Sequence, residues 1–240
     1  MLTARMARVL APLPDNDFDV TEVAVPWRVL TDAGHEVVFA TETGARPDAD
    51  PLLLRGVLFG QLGAEPDAMA LYEELQAGPA LQSPLRWEDV VVEDFDGLLL
   101  AGGHAQGMKQ YLGSEPLQAK VREFWALERP VGAICHGVLV LARAGVLGEA
   151  RTTCLPHYME MLAYGLTFWK LGRYYRTYEP TVQEEVQAAC AFFERGPITL
   201  VTRGTEGDDR GTFVVEDGRY VSARWPGDAW AFSRALAARL

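Results

Sequence analysis

Cysteine is scarce in this chain, which has only three among its 240 residues, at positions 135, 154 and 190. An odd number of scattered cysteines with no C-x-x-C pair argues against a fold held together by disulfides. Each cysteine is therefore either a small buried hydrophobic residue or a reactive thiol, and the surrounding sequence has to decide between the two.

Positive charge is also in short supply. The net charge is −11, the isoelectric point is near 4.9, and no cluster of lysine and arginine occurs. This balance argues against a surface that binds nucleic acid or an anionic membrane. No apolar run approaches the roughly 18 residues of a membrane-spanning helix. The N-terminal apolar run is too short and too interrupted by proline for a signal peptide, so we expect a cytoplasmic protein.

The chain lacks the motifs that bind common cofactors. The stretch "GGHAQG" (residues 102–107) does not match the G-x-G-x-x-G fingerprint of dinucleotide-binding proteins, and there is no Walker motif. No H-x-x-x-H or H-E-x-x-H pair offers two metal-binding histidines on one helix face. We therefore expect neither a cofactor nor a metal.

What the chain does contain is a regular alternation of apolar strands and amphipathic helices, with 49% hydrophobic residues overall. Such strands alternating with helices predict an α/β fold, with a mostly parallel sheet and helices on both faces. The predicted strands are "ARVLAPL" (7–13), "HEVVFAT" (35–41), "FDGLLLAGG" (95–103), "PVGAIC" (130–135), "PITLVT" (197–202) and a hairpin in "TFVVEDGRYVSARW" (212–225). The predicted helices cover residues 20–34 and 138–144, a surface helix in 66–78, and three helices capped by Ser114, by Thr181 with Glu184, and by Asp228.

Two segments interrupt the alternation inside what we predict to be a single domain over residues 1–240. Residues 43–92 form a long insert. Residues 151–180 are rich in aromatic side chains and are predicted to form a cap or lid over a site. Both segments are added to the sheet pattern and do not indicate a second domain.

Cys135 lies where an apolar strand turns into a helix, in "RPVGAICHGVLVLARAG" (129–145). Ala133 and Gly137, two residues to either side, are small, as a nucleophile elbow requires because neighbouring backbone approaches closely there. The start of a helix favours a thiolate, so we predict a lowered thiol pKa at Cys135 and no comparable reactivity at the other two cysteines. A buried core cysteine is the alternative.

A nucleophilic thiol needs a base within hydrogen-bond reach. His136 is adjacent to Cys135, while His104 and His157 lie in the two other candidate site segments, and His35 is predicted to be structural.

The glycine pair after the third predicted strand, Gly102 and Gly103, lets the backbone approach a substrate. We predict an oxyanion hole from the backbone N–H groups of this glycine pair together with the N–H of His136, and we expect Gly102 and His104 to bind substrate. Glu22, at the start of the first helix, could face Cys135. Acidic residues at that position are more often surface residues that compensate the helix dipole.

These pieces together resemble the DJ-1/PfpI family of the class I glutamine amidotransferase-like superfamily. The matching stretches are "TEVAVPWRVLTDAGHEVVFAT", "FDGLLLAGGHAQG", "RPVGAICHG" and "RYVSARWPGDAWAF", in this order between about residue 7 and residue 240. The resemblance implies a flavodoxin-like, doubly wound sheet and a reactive elbow cysteine at Cys135. It also implies a protonated Glu22 against the thiolate, the oxyanion hole from Gly103 and His136, and a homodimer.

The insert and the cap are most similar to the Hsp31-type branch of that family. In that branch an aspartate after a Phe-Pro pair completes a Cys-His-acid triad, whereas this chain has Leu155-Pro156-His157 at that place. His157 could orient His136, Glu160 could substitute for the acid, or neither could take part. No His-x-Glu pair follows Cys135, so glutaminase activity is not expected.

The function that these residues favour is that of a cysteine-dependent enzyme acting on small carbonyl or acyl compounds. The resemblance implies glyoxalase-III-like or deglycase-like chemistry, in which Cys135 adds to an aldehyde and His136 moves the proton. One alternative is a thiol hydrolase or peptidase that uses the same cysteine. Another is a non-enzymatic, redox-sensing or chaperone-like stress protein.

Overall fold

The computed structural model describes residues 5–56, 62–199 and 202–240. The strands are β1 (Arg8–Pro12), β2 (Asn16–Phe18), β3 (Glu36–Thr41), β4 (Asp48–Ala49), β5 (Leu85–Arg86), β6 (Gly97–Leu100), β7 (Val131–Ile134), β8 (Gly148–Thr152), β9 (Cys190–Phe193), β10 (Val214–Asp217) and β11 (Tyr220–Ala223). The α-helices are α1 (Val20–Asp32), α2 (Pro51–Arg55), α3 (Pro66–Ala77), α4 (Met108–Leu112), α5 (Glu115–Ala126), α6 (Val138–Arg143), α7 (His157–Leu171), α8 (Val182–Ala189) and α9 (Ala229–Ala237).

A seven-stranded sheet with the order β10-β11-β7-β6-β1-β3-β5 forms the centre of the fold. Strand β10 pairs with β11 in an antiparallel hairpin, and the other neighbouring pairs are parallel. Every residue of β6 and β7 is buried, as expected for parallel strands that are covered on both sides. The predicted α/β fold with a mostly parallel sheet is therefore confirmed.

The helices pack in two groups around the sheet. Helix α1 packs against α3 and α9, and α6 packs against α5 and α8. Two small parallel pairs, β2 with β4 and β8 with β9, lie outside the main sheet. No helix within the described residues combines the length and the apolar character needed to cross a membrane.

The topology brings the candidate site segments to one edge of the sheet. Strands β6 and β7 are parallel neighbours with Leu100 paired to Ala133, so the segments that follow them emerge side by side. The N-terminus of α1 is fastened to the same place, because the Asp19 N–H donates a hydrogen bond to the Gly102 carbonyl (2.9 Å). The carboxyl end of a parallel sheet is where ligands gather in such folds.

The strand predicted for residues 197–202 is wrong for its described part. Residues 197–199 and 202 are not in a strand, and residues 200 and 201 lie outside the described ranges. The backbone of this stretch is bound by side chains. The Pro197 carbonyl accepts a hydrogen bond from Arg224 (2.7 Å), and the Thr199 N–H donates to the Tyr158 hydroxyl (3.0 Å). Apolar composition alone could not reveal these partners.

Two smaller predictions are also corrected. The helix over Pro66–Ala77 is not simply a surface helix, since Tyr72 and Leu75 are buried and the helix packs on α1. Asp228 stands at the N-terminus of α9 but makes no side-chain cap, because its carboxylate binds Arg224 and the Phe213 N–H. The capping box of Thr181 and Glu184 is confirmed.

The predicted aromatic-rich cap does not form a single aromatic cluster. Residues 151–180 contain helix α7, on which Phe168 and Trp169 are exposed. Further along, Tyr174 and Tyr175 turn inward and pack against His104. The segment therefore divides into an exposed apolar helix face and an inward pair of tyrosines.

Candidate active site

The backbone at Cys135 has the shape of a nucleophile elbow. Cys135 has φ of 58°, in the left-handed region, and opens a short 3-10 turn, Cys135–Gly137, before α6. A non-glycine residue held there is destabilised by about 1–2 kcal/mol, so the surrounding structure must stabilise it. Gly137 is required, because an added Cβ would lie 2.2 Å from the Leu100 carbonyl oxygen. This close approach is the reason for which the sequence predicts a small residue at this position.

Glu22 lies directly beside the elbow, although α1 is more than one hundred residues away in the chain. Its Oε2 accepts a hydrogen bond from the Gly102 N–H (2.8 Å), and the side chain is fully buried. A Cβ on Gly102 would lie 2.8 Å from the same Oε2 and 3.2 Å from the Cys135 Cβ, so the three groups are packed together. Glu22 is therefore not a surface residue at the end of a helix.

His136 is the nitrogen base closest to the thiol. Its Nδ1 lies 3.4 Å from the Cys135 Sγ, and both residues are buried. The ring of His104 stands edge-on to that of His136, with 4.7 Å between centroids. His104 in turn packs edge-on against Tyr175 (4.8 Å). Cys135, His136 and His104, all proposed from the sequence, are thus brought together.

Burial controls the protonation of this cluster. It raises the pKa of Glu22 well above 4.5 and raises the pKa of Asp19, the N-cap residue of α1, to about 6. It lowers the pKa of His136 well below 6.5 and that of His104 to about 4. The protonated Glu22 that the resemblance implied agrees with this direction.

The predicted lowering of the Cys135 pKa is wrong. Burial raises the pKa of this thiol well above its usual value of 9.0, and the Asp19 carboxyl, which is ionised above about pH 6, raises it further. The helix N-terminus cannot overcome this effect, because the side chain is fully buried and α6 begins only at Val138. The resting site therefore holds a neutral thiol beside a neutral imidazole, and the base must accept the proton as the thiol reacts.

Glu22→Gln is expected to make the protein more stable than wild type at high pH but not near pH 4.5. Because the folded-state pKa of Glu22 is raised above 4.5, the unfolded chain releases this proton first as pH rises, and wild-type stability falls. Glutamine does not titrate and keeps an oxygen for the Gly102 N–H. Urea unfolding at pH 4.5 and at about pH 8 measures the difference. Glu73→Gln, on the exposed side of α3, is the control, and a stability difference independent of pH would contradict the prediction.

His157 and Glu160, the two candidates for a third triad member, are placed elsewhere. The His157 Nδ1 lies 3.1 Å from the Thr181 Oγ1 and 3.8 Å from the Glu184 carboxylate, at the start of α8. Glu160 accepts a hydrogen bond from the Val182 N–H (3.0 Å) and lies 3.7 Å from Arg176. Both side chains hold α7 against α8, so neither is placed to orient His136.

The oxyanion hole is only partly defined by this geometry. The His136 backbone nitrogen lies close to Gly102, since an added Cβ there would be 2.7 Å from it. At Gly103 an added Cβ would face the Asp17 carbonyl (2.8 Å) and the Met108 side chain (3.0 Å). The N–H groups of Gly103 and His136 as oxyanion donors stay a prediction.

His104, Cys135 and His136 also form a set of metal-binding donors, with one ligand atom from each lying within 4.8 Å of the others. Two imidazoles and a thiolate suit a soft ion such as Zn²⁺ or Cu⁺. The same three groups serve a thiol nucleophile and its base. The expectation of a metal-free site stays a prediction.

A cavity of about 170 Å³ adjoins this cluster on the His104 side. Its walls are mostly apolar and include Leu155, Met159 and Trp225, while Asp19 and Arg203 supply polar groups. Cys135 itself is fully buried and does not line the cavity, whereas His104, which contacts His136, does.

Three residues of the site escaped the sequence predictions. Asp19 carried a usable signal, because it directly precedes the helix that contains Glu22 and accepts the N–H groups of Thr21 (2.8 Å) and Glu22 (3.0 Å). Tyr174 and Tyr175 carried none, since their contacts with His104 span 70 residues or more of the chain. Contacts of this kind are decided by the tertiary fold.

The chain is similar to several known proteins over most of its length. The family described as ThiJ/PfpI family-like matches residues 13–188. An uncharacterized protein of Schizosaccharomyces pombe is 29% identical over 97% of this chain and 83% of its own length. The deglycase PfpI of Pyrococcus furiosus is 26% identical over 92% of this chain and 93% of its own length. The structure of glyoxalase III from Candida albicans superposes with a TM-score of 0.69 at 19% identity, covering 98% of each chain.

The family match covers well over half of the chain, and it includes the elbow, the glycine pair and Glu22. The whole-length structural likeness shows the same fold around that match. The chain therefore belongs to the ThiJ/PfpI family, also called the DJ-1/PfpI family.

Proposed function

We propose that the protein is a cysteine-dependent enzyme that acts on small carbonyl compounds, with 2-oxoaldehydes as its substrates. The observation that carries the proposal is the Cys135 Sγ held 3.4 Å from the His136 Nδ1 at a left-handed elbow. Relatives named deglycase and glyoxalase III favour carbonyl chemistry over other uses of a thiol.

In the proposed first step, Sγ attacks the aldehyde carbon while the neutral His136 takes the thiol proton. The C=O electron pair moves to oxygen, and that oxygen then takes the proton from His136 to give a hemithioacetal. Conversion of a 2-oxoaldehyde and water to a 2-hydroxy acid needs no external oxidant, because one carbon is oxidised while its neighbour is reduced. This balance is consistent with a cofactor-free site.

Glu22 supports the same step by staying protonated. Its Oε2 is occupied by the Gly102 N–H, whereas its Oε1 is buried without a hydrogen-bond partner among the described residues. A proton on Oε1 can be shared with the sulfur as negative charge develops there, which an ionised carboxylate would oppose. Glu22 thus stabilises the developing thiolate without removing the proton itself.

Access to the sulfur requires the covering side chains to move. Cys135 is fully buried beneath His136 and His104, and Tyr175 packs on His104. Rotation of the His104 ring opens the route from the cavity to Sγ.

The direct test exposes wild type and Cys135→Ser to methylglyoxal and follows both product and intact mass. Wild type is expected to form 2-hydroxypropanoate, and Cys135→Ser is expected to lose the activity by roughly a thousandfold or more. Cys190→Ser, which removes a half-buried cysteine of β9, is the control and should retain the wild-type rate. Turnover that survives Cys135→Ser would disprove the proposal.

The same design separates the alternatives. An acyl adduct formed with a chromogenic ester but none with methylglyoxal would indicate a thiol hydrolase. Oxidation of Cys135 by peroxide without turnover of either compound would indicate a redox sensor. The finer assignment to the Hsp31-type branch rests on the two inserted segments, residues 43–92 and 151–180.

A further inference from the structure

We infer that this site selects 2-oxoaldehydes that carry an apolar substituent of about six carbons over the three-carbon methylglyoxal. The inference rests on the proposed function and adds to it the class of substrate. It comes from the size, the lining and the position of the cavity beside His104.

The cavity has the volume of a six-carbon group. At about 170 Å³ it is slightly larger than an engineered apolar cavity of about 150 Å³ in another protein that binds benzene. A methyl substituent would leave most of the apolar walls in contact with water, whereas a six-carbon group would cover them, and burial of apolar surface is favourable.

The lining has the chemistry of a hydrocarbon site. Leu155, Met159 and Ala163 come from α7 and the segment before it, and Trp225 and Tyr175 close other sides. Leu155, Trp225 and Tyr175 are buried, whereas Leu162 and Leu166 of the same lining are exposed, so the site is an apolar pocket that opens to solvent. Mostly apolar walls with a few polar groups are typical of small-molecule sites.

The position of the polar groups gives the direction of binding. His104 lines the cavity and touches His136, which in turn contacts the thiol, so the reacting carbonyl must lie at the His104 side. The substituent must then point toward Leu155 and Met159. Asp19, the N-cap of the helix that carries Glu22, also lines this cavity, and its Oδ1 already accepts the N–H groups of Thr21 and Glu22.

Arg203 does not make the cavity an anion site. Its Nε lies 3.3 Å from the Glu65 carboxylate, and its guanidinium stacks on the Trp225 ring at 4.9 Å. The cation is therefore already paired and forms part of the wall. A neutral substituent fits this arrangement better than a carboxylate or a phosphate does.

The test compares cyclohexylglyoxal with methylglyoxal, two alkyl 2-oxoaldehydes with similar carbonyl groups. For each compound the enzymatic kcat/KM is divided by its rate of hemithioacetal formation with a small free thiol. This corrected value is then compared between the two compounds. The ratio of cyclohexylglyoxal to methylglyoxal is expected to be about ten or more. A corrected ratio of one or less would overturn the inference.

Variants on α7 test the location of the substituent. Ala163→Leu fills part of the cavity, so the cyclohexyl ring no longer fits. The ratio of cyclohexylglyoxal to methylglyoxal is expected to fall by about tenfold. Gly165→Leu adds the same side chain to the same helix at an exposed position, where a Cβ meets no atom within 4 Å, and should leave the ratio unchanged. Equal ratios in the two variants would place the selectivity elsewhere and overturn the inference.

A binding measurement separates this inference from the proposed reaction. Cyclohexyl methyl ketone, which lacks the aldehyde, is titrated calorimetrically into Cys135→Ser with and without Ala163→Leu. Binding that Ala163→Leu abolishes supports the apolar site. If that binding is seen but wild type turns over neither aldehyde, the proposed reaction is wrong and the apolar site remains. If no binding is seen while methylglyoxal is turned over, the substrate class is wrong and the reaction remains.

Discussion

Asp228→Asn is expected to lower the free energy of unfolding by about 3–5 kcal/mol, the largest stability effect we predict. Asp228 and Arg224 are fully buried and joined by two hydrogen bonds of 2.8 and 2.9 Å. Burial raises the pKa of Asp228 even beside the guanidinium, so desolvation outweighs attraction in this pair. Asparagine leaves the Arg224 charge buried and uncompensated, and a charge in that state is strongly unfavourable.

The pair also anchors a segment that has little regular structure of its own. Arg224 donates to the carbonyls of Pro197 (2.7 Å) and Gly211 (3.3 Å), and Asp228 accepts the Phe213 N–H (3.0 Å). Loss of the ion pair therefore removes the hydrogen bonds that hold the backbone at Pro197, Gly211 and Phe213, next to the start of α9.

Urea unfolding measures this prediction, with Asp208→Asn as the matched control. Asp208 forms an ion pair with Arg210 at the surface, where solvent screens the interaction. The urea unfolding midpoint of the Asp208→Asn variant should therefore equal that of wild type. A loss of less than about 1 kcal/mol in Asp228→Asn would show that the buried pair is not needed for stability.

His136→Ala is expected to lower kcat/KM for 2-oxoaldehydes by roughly 10²–10⁴-fold, the largest effect on activity after loss of the cysteine itself. The thiol pKa is raised, so little thiolate exists before the substrate arrives, and the reaction depends on a base that takes the proton during attack. The His136 Nδ1, 3.4 Å from Sγ, is the group in position to do so.

The pH profile distinguishes this role from a structural one. Burial lowers the pKa of His136 well below 6.5, so the imidazole stays neutral as pH falls, and wild-type kcat/KM should be flat from about pH 8 down to 6.5. His157→Ala is the control, because the His157 ring contacts Thr181 and Glu184 in place of the thiol. A similar loss of activity in both variants, or a wild-type inflection near 6.5 that persists in Asp19→Asn, would contradict the prediction.

Several features of the protein were determined by the sequence alone. The apolar strands and amphipathic helices define the α/β fold, because a parallel sheet covered on both faces needs nearly continuous hydrophobic strands. The elbow is also visible in the sequence, because Gly137 has to be small where the Leu100 carbonyl approaches it, and the glycine can be read directly. The hairpin around Asp217 and Gly218 and the capping box of α8 follow from short-range turn and cap chemistry.

The tertiary structure decided how charged each group is and which residues meet. The thiol was expected to be acidic from its place at a helix start, but its pKa depends on complete burial beside Glu22 and Asp19, which come from the other end of the chain. Likewise, His157 and Glu160 have the right chemistry for a triad, yet the packing of α7 on α8 assigns them to other partners. Sequence patterns report short-range geometry, whereas desolvation and long-range contacts arise only when distant segments are brought together. Desolvation and these contacts decide which groups of this site are charged and which residues meet.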